Sequence, residues 1–173
     1  MNSGLNIKTT FTLGLLIIVS LCLTNCAGKL SKAKRIADPA RLKSKILNTS
    51  KFKLQSFYRF SKKGAPLTVY IEGDGLAWLN RNQPSMDPTP RNPLALRLAA
   101  LDRGDNVLYL ARPCQYVDLY TEKLCSIPYW TQKRFAREVI ISIDEAINKI
   151  TSMTRSKNIH MIGYSGGGAI VAM

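Results

Sequence analysis

The residues best suited to chemistry lie near the carboxyl end of the chain, where Gly163, Ser165 and Gly167 follow the spacing G-x-S-x-G. This spacing is typical of a serine nucleophile placed on a tight turn between a strand and a helix. Glycines are needed because strand and helix approach closely, and N–H groups at the helix start can stabilise a developing oxyanion. A nucleotide-binding glycine turn is the alternative, but it lacks both the P-loop lysine and the G-x-G-x-x-G spacing.

The elements around this motif predict a sheet that would position it. Apolar runs predict strands over 52–60, 67–71, 107–111 and 159–162, and apolar residues at helical spacing predict helices over 94–101, capped by Asn92, and from about residue 131. The order from residue 67 onwards is βαβαβ, which predicts an α/β fold with a mostly parallel sheet and flanking helices. Sites in such sheets form at the carboxyl ends of the strands. Two glycine-rich segments lie at such ends, Glu72–Gly75 and the serine motif.

With both segments in place, residues 65–173 resemble the first part of a bacterial α/β-hydrolase of the esterase or lipase type. The resemblance implies that Ser165 is the nucleophile and that the N–H of Gly166 is one oxyanion donor. It implies that the second donor is the N–H of Asp74 or Gly75. Glu72 stands where many members carry histidine. Trp78 and Tyr164 are candidates for the substrate pocket, with packing in the core or at the rim as the alternative.

The catalytic partners that the resemblance requires are missing. In this family the chain order is serine, then Asp or Glu, then His, and the eight residues after Ser165 include none of these. His160 is five residues upstream, about 16 Å back along its strand, so we predict a core histidine rather than a general base. We therefore predict a partial α/β-hydrolase, truncated after the nucleophile motif and inactive alone. A complementing C-terminal chain is the partner this implies, and a non-enzymatic, membrane-tethered basic lipoprotein scaffold is the alternative function.

The amino-terminal residues predict export and membrane attachment. Residues 1–25 have the form of a signal peptide, with an apolar segment over 11–23 that is too short to span a bilayer. The ending Leu23-Thr24-Asn25-Cys26 resembles the lipobox of bacterial lipoproteins, which implies lipid attachment at Cys26. An uncleaved anchor and an ordinary signal cut elsewhere are the alternatives. In each case the sequence predicts a protein of the cell envelope, anchored to a membrane and facing the periplasm or the exterior.

Charge is concentrated just after this segment. The 173 residues carry a formal net charge of +14, and residues 29–63 hold twelve Lys and Arg against one acid. We predict a basic juxtamembrane tether over 26–63 that contacts anionic lipid, followed by the hydrolase part over 64–173. Nucleic acid is the weaker partner, because no aromatic stacking platform or base-reading helix accompanies the charges.

The four cysteines differ in their predicted location. Cys22 lies in the apolar segment and Cys26 at the lipid site, which leaves Cys114 and Cys125 in the exported part. An oxidising compartment favours a disulfide between them, with two free thiols as the alternative. A metal site is not predicted, because His160 is the single histidine and two thiols rarely suffice. No cofactor is predicted either.

Overall fold

The computed structural model describes residues 28–173. A helix, α1, covers described residues 28–37 and continues into a 3₁₀ turn at Asp38–Ala40. The strands are β1 (Lys43–Asn48), β2 (Lys53–Phe60), β3 (Leu67–Ile71), β4 (Trp78–Asn80), β5 (Gln83–Pro84), β6 (Asn106–Leu110) and β7 (Ile159–Gly163). The remaining helices are α2 (Leu94–Leu101), α3 (Arg137–Thr154) and α4 (Gly166–Ala172), and a second 3₁₀ turn covers Ile127–Trp130. The predicted signal peptide and Cys26 lie outside the described residues.

A five-stranded sheet with the order β1-β2-β6-β3-β7 forms the centre of the fold. Strand β2 is antiparallel to both of its neighbours, whereas β3 is parallel to β6 and to β7. Four of the five strands therefore run in the same direction, and the chain has the predicted mixed α/β fold with a mostly parallel sheet. Strands β4 and β5 form a separate two-stranded hairpin.

Helices cover both faces of the sheet. Alternate residues of the central strands point to opposite faces, so Val69 and Leu108 belong to one core cluster and Tyr70 and Tyr109 to the other. Helices α3 and α4 pack on the first face, with Val139, Ile143, Ala146, Ile147, Ile150 and Ile170 in that cluster. Helices α1 and α2 pack on the second face through small residues, among them Ala33, Ala37, Ala95 and Ala99.

The boundary predicted at residue 64 does not separate two structural units. Strands β1 and β2 lie within the segment predicted as a tether, and they pair into the same sheet as β6. Leu42, Leu47, Leu54 and Phe57 from this segment are buried in the core. Its basic residues alternate with these apolar ones, so the charge lies mostly on the outer surface of a folded element, and ten of the twelve Lys and Arg residues are exposed.

One further prediction needs correction. Helix α3 begins at Arg137 rather than near residue 131, because residues 131–136 form turns held by backbone bonds such as Ala136 N–H to Lys133 O. Strand β7 has the apolar sequence of a buried strand, yet Ile159, Met161 and Ile162 are each about 40% exposed. Within the described chain β7 pairs with β3 alone, so its other side is an open edge.

Candidate active site

Ser165 occupies a sharp turn between β7 and α4. Its backbone has φ 51° and ψ −120°, a conformation that a residue with a side chain rarely adopts. The turn is closed by Gly167 N–H to Tyr164 O at 2.8 Å and by Gly168 N–H to Ser165 O at 2.9 Å. Strained backbone of this kind persists only where the surrounding structure enforces it, and it is common at active sites. The Ser165 residue is exposed to solvent.

The glycine spacing is explained by close contacts between backbone segments. A Cβ on Gly163 would overlap the backbone of Gly167 and Gly168. A Cβ on Gly167 would overlap the carbonyl of Ile71, where β3 ends. Tyr164 N–H also donates to Ile71 O at 3.1 Å. The first turn of α4 therefore lies directly against the end of β3, which fixes Ser165 beside the loop that follows this strand.

That loop, Gly73–Gly75, is here called the β3 loop. A Cβ placed on Gly73 would lie 3.3 Å from Ser165 Cβ, so the loop and the serine are in direct contact. Among residues 28–173, the backbone N–H groups of Asp74, Gly75 and Gly166 donate no hydrogen bond. A cavity of about 310 Å³ opens at this point and is lined by Glu72, the β3 loop, Leu76, Pro90, Arg91, Asn92, Tyr164 and Ser165. The cavity lining therefore brings Ser165 together with Asp74 and Gly75, whereas Gly166 is buried beside Ser165 and is not among the lining residues.

The Asp74 side chain is held by two arginines. Arg112 Nη1 lies 3.2 Å from Asp74 Oδ1, and Arg134 Nε lies 3.4 Å from Asp74 Oδ2. Arg112 also donates to the Arg134 carbonyl, and both guanidinium groups lie against the ring of Phe135. Burial lowers the pKa of Arg112 to about 10, which leaves it protonated at neutral pH. The carboxylate is thus paired on both oxygens, and it anchors the β3 loop to the loop between β6 and α3.

Glu72 is buried, with 2% of its surface exposed. Its carboxylate accepts hydrogen bonds from Gly73 N–H at 3.0 Å, from Tyr109 Oη at 3.2 Å and, more weakly, from Ala95 N–H at 3.5 Å. Burial raises the pKa of Glu72, and these hydrogen bonds oppose that shift. The Ala95 contact places the carboxylate at the start of α2, a role that the sequence predicted for Asn92. Asn92 instead accepts from Arg97 Nε at 2.7 Å.

His160 is not the core residue that the sequence predicts. It is exposed on β7 and lines an open groove of about 540 Å³ beside α2, together with Tyr70, Leu98, Asp102 and Ile162. It is not among the residues that line the Ser165 cavity. Its exposure follows from the open edge of β7, which leaves the groove uncovered within the described chain.

The remaining candidates divide between the cavity and its surroundings. Tyr164 lines the cavity, whereas Trp78 lies in β4, is 43% exposed and is not among the lining residues. Cys114 and Cys125 form the predicted disulfide, with a Cα–Cα distance of 5.4 Å. Arg91 and Arg112 were not predicted from the sequence. Arg112 lies two residues after the carboxyl end of β6, and that position is the signal that would have identified it.

No cluster of three or more His, Cys, Asp or Glu side chains within residues 28–173 is arranged to hold a metal ion. The helices described here include none that is both long and apolar enough to cross a bilayer.

The chain was compared with protein families, curated proteins and solved structures. No family model matches the chain, and no curated protein matches it. Among solved structures, the chain is similar to one described as a membrane phospholipase A and a novel bacterial virulence factor, with 20% sequence identity and a TM-score of 0.43. The match covers 95% of this chain and 46% of the other, so the chain spans about half the length of that protein.

Proposed function

We propose that this chain carries the nucleophile and the oxyanion donors of a serine ester hydrolase of the α/β-hydrolase type. The observation that carries the proposal is the contact between the strained Ser165 turn and the β3 loop. In this class the oxyanion donors are the N–H after the nucleophile and an N–H from the loop after the third strand. Gly166 and the pair Asp74 and Gly75 occupy those positions, and their N–H groups are free in the described structure.

The proposed reaction is acyl transfer to Ser165. The Ser165 hydroxyl attacks the ester carbonyl, its proton passes to a general base, and the negative charge that develops on the carbonyl oxygen is stabilised by the N–H donors. Removal of one such donor in known enzymes lowers kcat by about 10²- to 10³-fold. The alcohol then leaves, and water releases the acid from the serine.

Residues 28–173 place no general base beside Ser165. His160 lies in the groove beside α2 and is not among the residues that line the Ser165 cavity, and the Asp74 carboxylate is already paired with Arg112 and Arg134. Because a serine hydroxyl without a base is a weak nucleophile at neutral pH, we propose that the isolated chain is inactive. A second polypeptide, encoded downstream, would supply the acid and the histidine.

Such a polypeptide would pair with the open edge of β7. Ser165 lies two residues after the end of β7, and the carboxyl ends of parallel strands meet at one edge of a sheet. A strand paired in parallel along β7 would therefore end beside Ser165. Its apolar residues would cover Ile159, Met161 and Ile162, which are now exposed. An uncovered apolar edge is otherwise an aggregation hazard.

The proposal includes attachment to a membrane of the cell envelope through lipid on Cys26. The exposed lysines and arginines of α1, β1 and the neighbouring turns support it, because each basic residue near an anionic leaflet contributes about 1 kcal/mol. Among them Lys43, Lys45 and Lys51 are exposed. The ester substrate would then be presented at or near a lipid surface.

Hydrolysis of p-nitrophenyl acyl esters tests the catalytic proposal. The isolated chain should show no turnover above that of a Ser165→Ala variant, and addition of the downstream polypeptide should produce turnover that Ser165→Ala abolishes. Ser152→Ala is a matched control, because Ser152 is exposed on α3, away from the cavity. If the chain lacks Ser165-dependent turnover in every combination, the alternative of a non-enzymatic, membrane-tethered scaffold is favoured instead.

A further inference from the structure

The loop between β6 and α3 contains a turn, Arg112–Tyr116, that lies against the β3 loop. Two residues of this turn have left-handed backbone conformations without being glycine: Cys114 with φ 70° and Tyr116 with φ 60°. Such values are uncommon for residues with side chains and are retained only where the surroundings enforce them. Gln115 lies between these two strained residues.

Gln115 connects the turn to the β3 loop. Its side chain is 1% exposed and makes two hydrogen bonds: Oε1 accepts from Arg112 N–H at 3.1 Å, and Nε2 donates to Gly73 O at 3.0 Å. A Cβ on Gly75 would lie 2.7 Å from Gln115 Nε2, so the amide also packs against the far end of the loop. Gln115 therefore contacts both ends of the segment that holds the free N–H groups of Asp74 and Gly75.

Several contacts hold the strained conformation on either side of Gln115: both strained residues are buried in the core, and Gln115 N–H donates to Arg112 O at 3.2 Å. Cys114 is joined to Cys125 by the disulfide, and Tyr116 N–H donates to Thr89 Oγ1 at 2.9 Å. Tyr116 is held by this hydrogen bond and by the packing of its side chain in the core, whereas the disulfide is covalent and joins residues eleven positions apart. Loss of the disulfide would let Cys114 relax towards negative φ, which would rotate the peptide that carries Gln115.

We propose that the Cys114–Cys125 disulfide acts as a clamp on the oxyanion donors: it holds the strained turn in which Gln115, a positioning residue, fixes the carbonyl of Gly73. The inference rests on the proposed function in taking the β3 loop as the oxyanion donor. Arg112 strengthens the same connection through its ion pair with Asp74. The clamp therefore has two side-chain links from one turn.

Amide hydrogen exchange on the full oxidised chain tests the clamp without any need for turnover. The reporters are Gly73 N–H, which bonds Glu72 Oε1, and Leu76 N–H, which bonds Pro88 O. Gln115→Ala, with the disulfide intact, should raise exchange at both amides about fivefold, the factor expected from the net loss of one hydrogen bond. Gln55→Ala is the matched control, because Gln55 is also buried and hydrogen-bonded but lies in β2.

Reduction of the disulfide is the second part of the exchange experiment. Dithiothreitol donates two electrons and two protons, so the S–S bond breaks to two thiols while the reagent closes to its own cyclic disulfide. In the wild-type chain, reduction should raise exchange at Gly73 and Leu76 about fivefold. In Gln115→Ala it should change these two amides less than twofold, because coupled perturbations do not add. The proposal would be overturned if reduction accelerated exchange equally in the wild type and in Gln115→Ala. It would also be overturned if Gln115→Ala alone left the exchange rates of these amides unchanged.

The catalytic consequence separates this inference from the proposed function. In the complemented protein, Gln115→Ala should lower kcat about tenfold or more and leave KM within about twofold, since oxyanion donors act mainly in the transition state. Turnover with an unchanged kcat would contradict the clamp and leave the hydrolase proposal standing. If reduction and Gln115→Ala had non-additive effects on exchange but no Ser165-dependent turnover were found, the clamp would be supported and the hydrolase proposal would be contradicted.

Discussion

Replacing Gly167 by alanine tests how closely the first turn of α4 approaches the end of β3. The new Cβ would lie 2.6 Å from Glu72 O and still closer to Ile71 O, whereas ordinary contacts begin near 3.4 Å. Because both obstacles are backbone carbonyls at the end of β3, which lies inside the sheet, α4 must move outward by about 0.8 Å or more. This movement would displace Ser165 from the β3 loop.

Gly168→Ala is the matched control in the same helix. A Cβ at this position would meet Gly163 O at 3.4 Å, an ordinary contact. Both substitutions gain about 1 kcal/mol in helix propensity, so the difference between the two variants isolates the cost of overpacking. We expect Gly167→Ala to be less stable than Gly168→Ala by about 1–3 kcal/mol. In a domain of this length that corresponds to a Tm lower by about 3–9 °C.

Thermal unfolding followed by circular dichroism, with urea unfolding as a second measure, compares the two variants and the wild type. Gly168→Ala should match or exceed the stability of the wild type. If Gly167→Ala proved as stable as Gly168→Ala, the close approach of α4 to β3 would be wrong, and with it the explanation of the G-x-S-x-G spacing.

Three further predictions concern other parts of the chain. Burial raises the pKa of Glu72, so the folded state binds this proton more tightly than the unfolded state, and stability from this group falls as the pH rises above about 4.3. In urea unfolding, the stability of Glu72→Gln relative to the wild type should therefore increase as the pH is raised from 4 to 8. A decrease in this relative stability would contradict the burial argument. Joint replacement of Cys114 and Cys125 by alanine should lower the free energy of unfolding by about 3 kcal/mol, and an unchanged value would show that the disulfide adds no stability. Cys26→Ala should abolish labelling by a fatty-acid probe and leave an unprocessed precursor, whereas equal labelling of both forms would exclude lipid at this position.

The sequence predicted the central elements closely because their apolar runs have few alternatives. Strand β3 matches its predicted bounds, and β6 and β7 differ by one residue at their ends. Strand β1 was missed because five of its six residues are exposed, Lys43 and Lys45 among them, so its sequence lacks the alternation of apolar and polar residues that marks a strand. An edge strand of this kind is stabilised by pairing with β2 rather than by a buried face of its own, and pairing cannot be read from a local pattern.

The candidate site was predictable only where local motifs mark it. Ser165 and Gly166 follow from the glycine spacing, and the β3 loop follows from its place at the end of a buried strand. Gln115 and Arg112 could not be assigned in advance, because their contacts with Gly73 and Asp74 join residues about forty positions apart. The exposure of His160 also depends on which strands are present beside β7, a property of the assembled sheet.

The central claim is that Ser165 is a nucleophile that needs a base from another polypeptide. The most direct measurement is labelling with a fluorophosphonate probe, followed by mass spectrometry of the modified peptide, for the chain alone and with the downstream polypeptide. The account predicts a covalent adduct on Ser165 in the combined sample, little or none in the chain alone, and none in Ser165→Ala. An ester-hydrolysing combination in which Ser165 stays unmodified would contradict it.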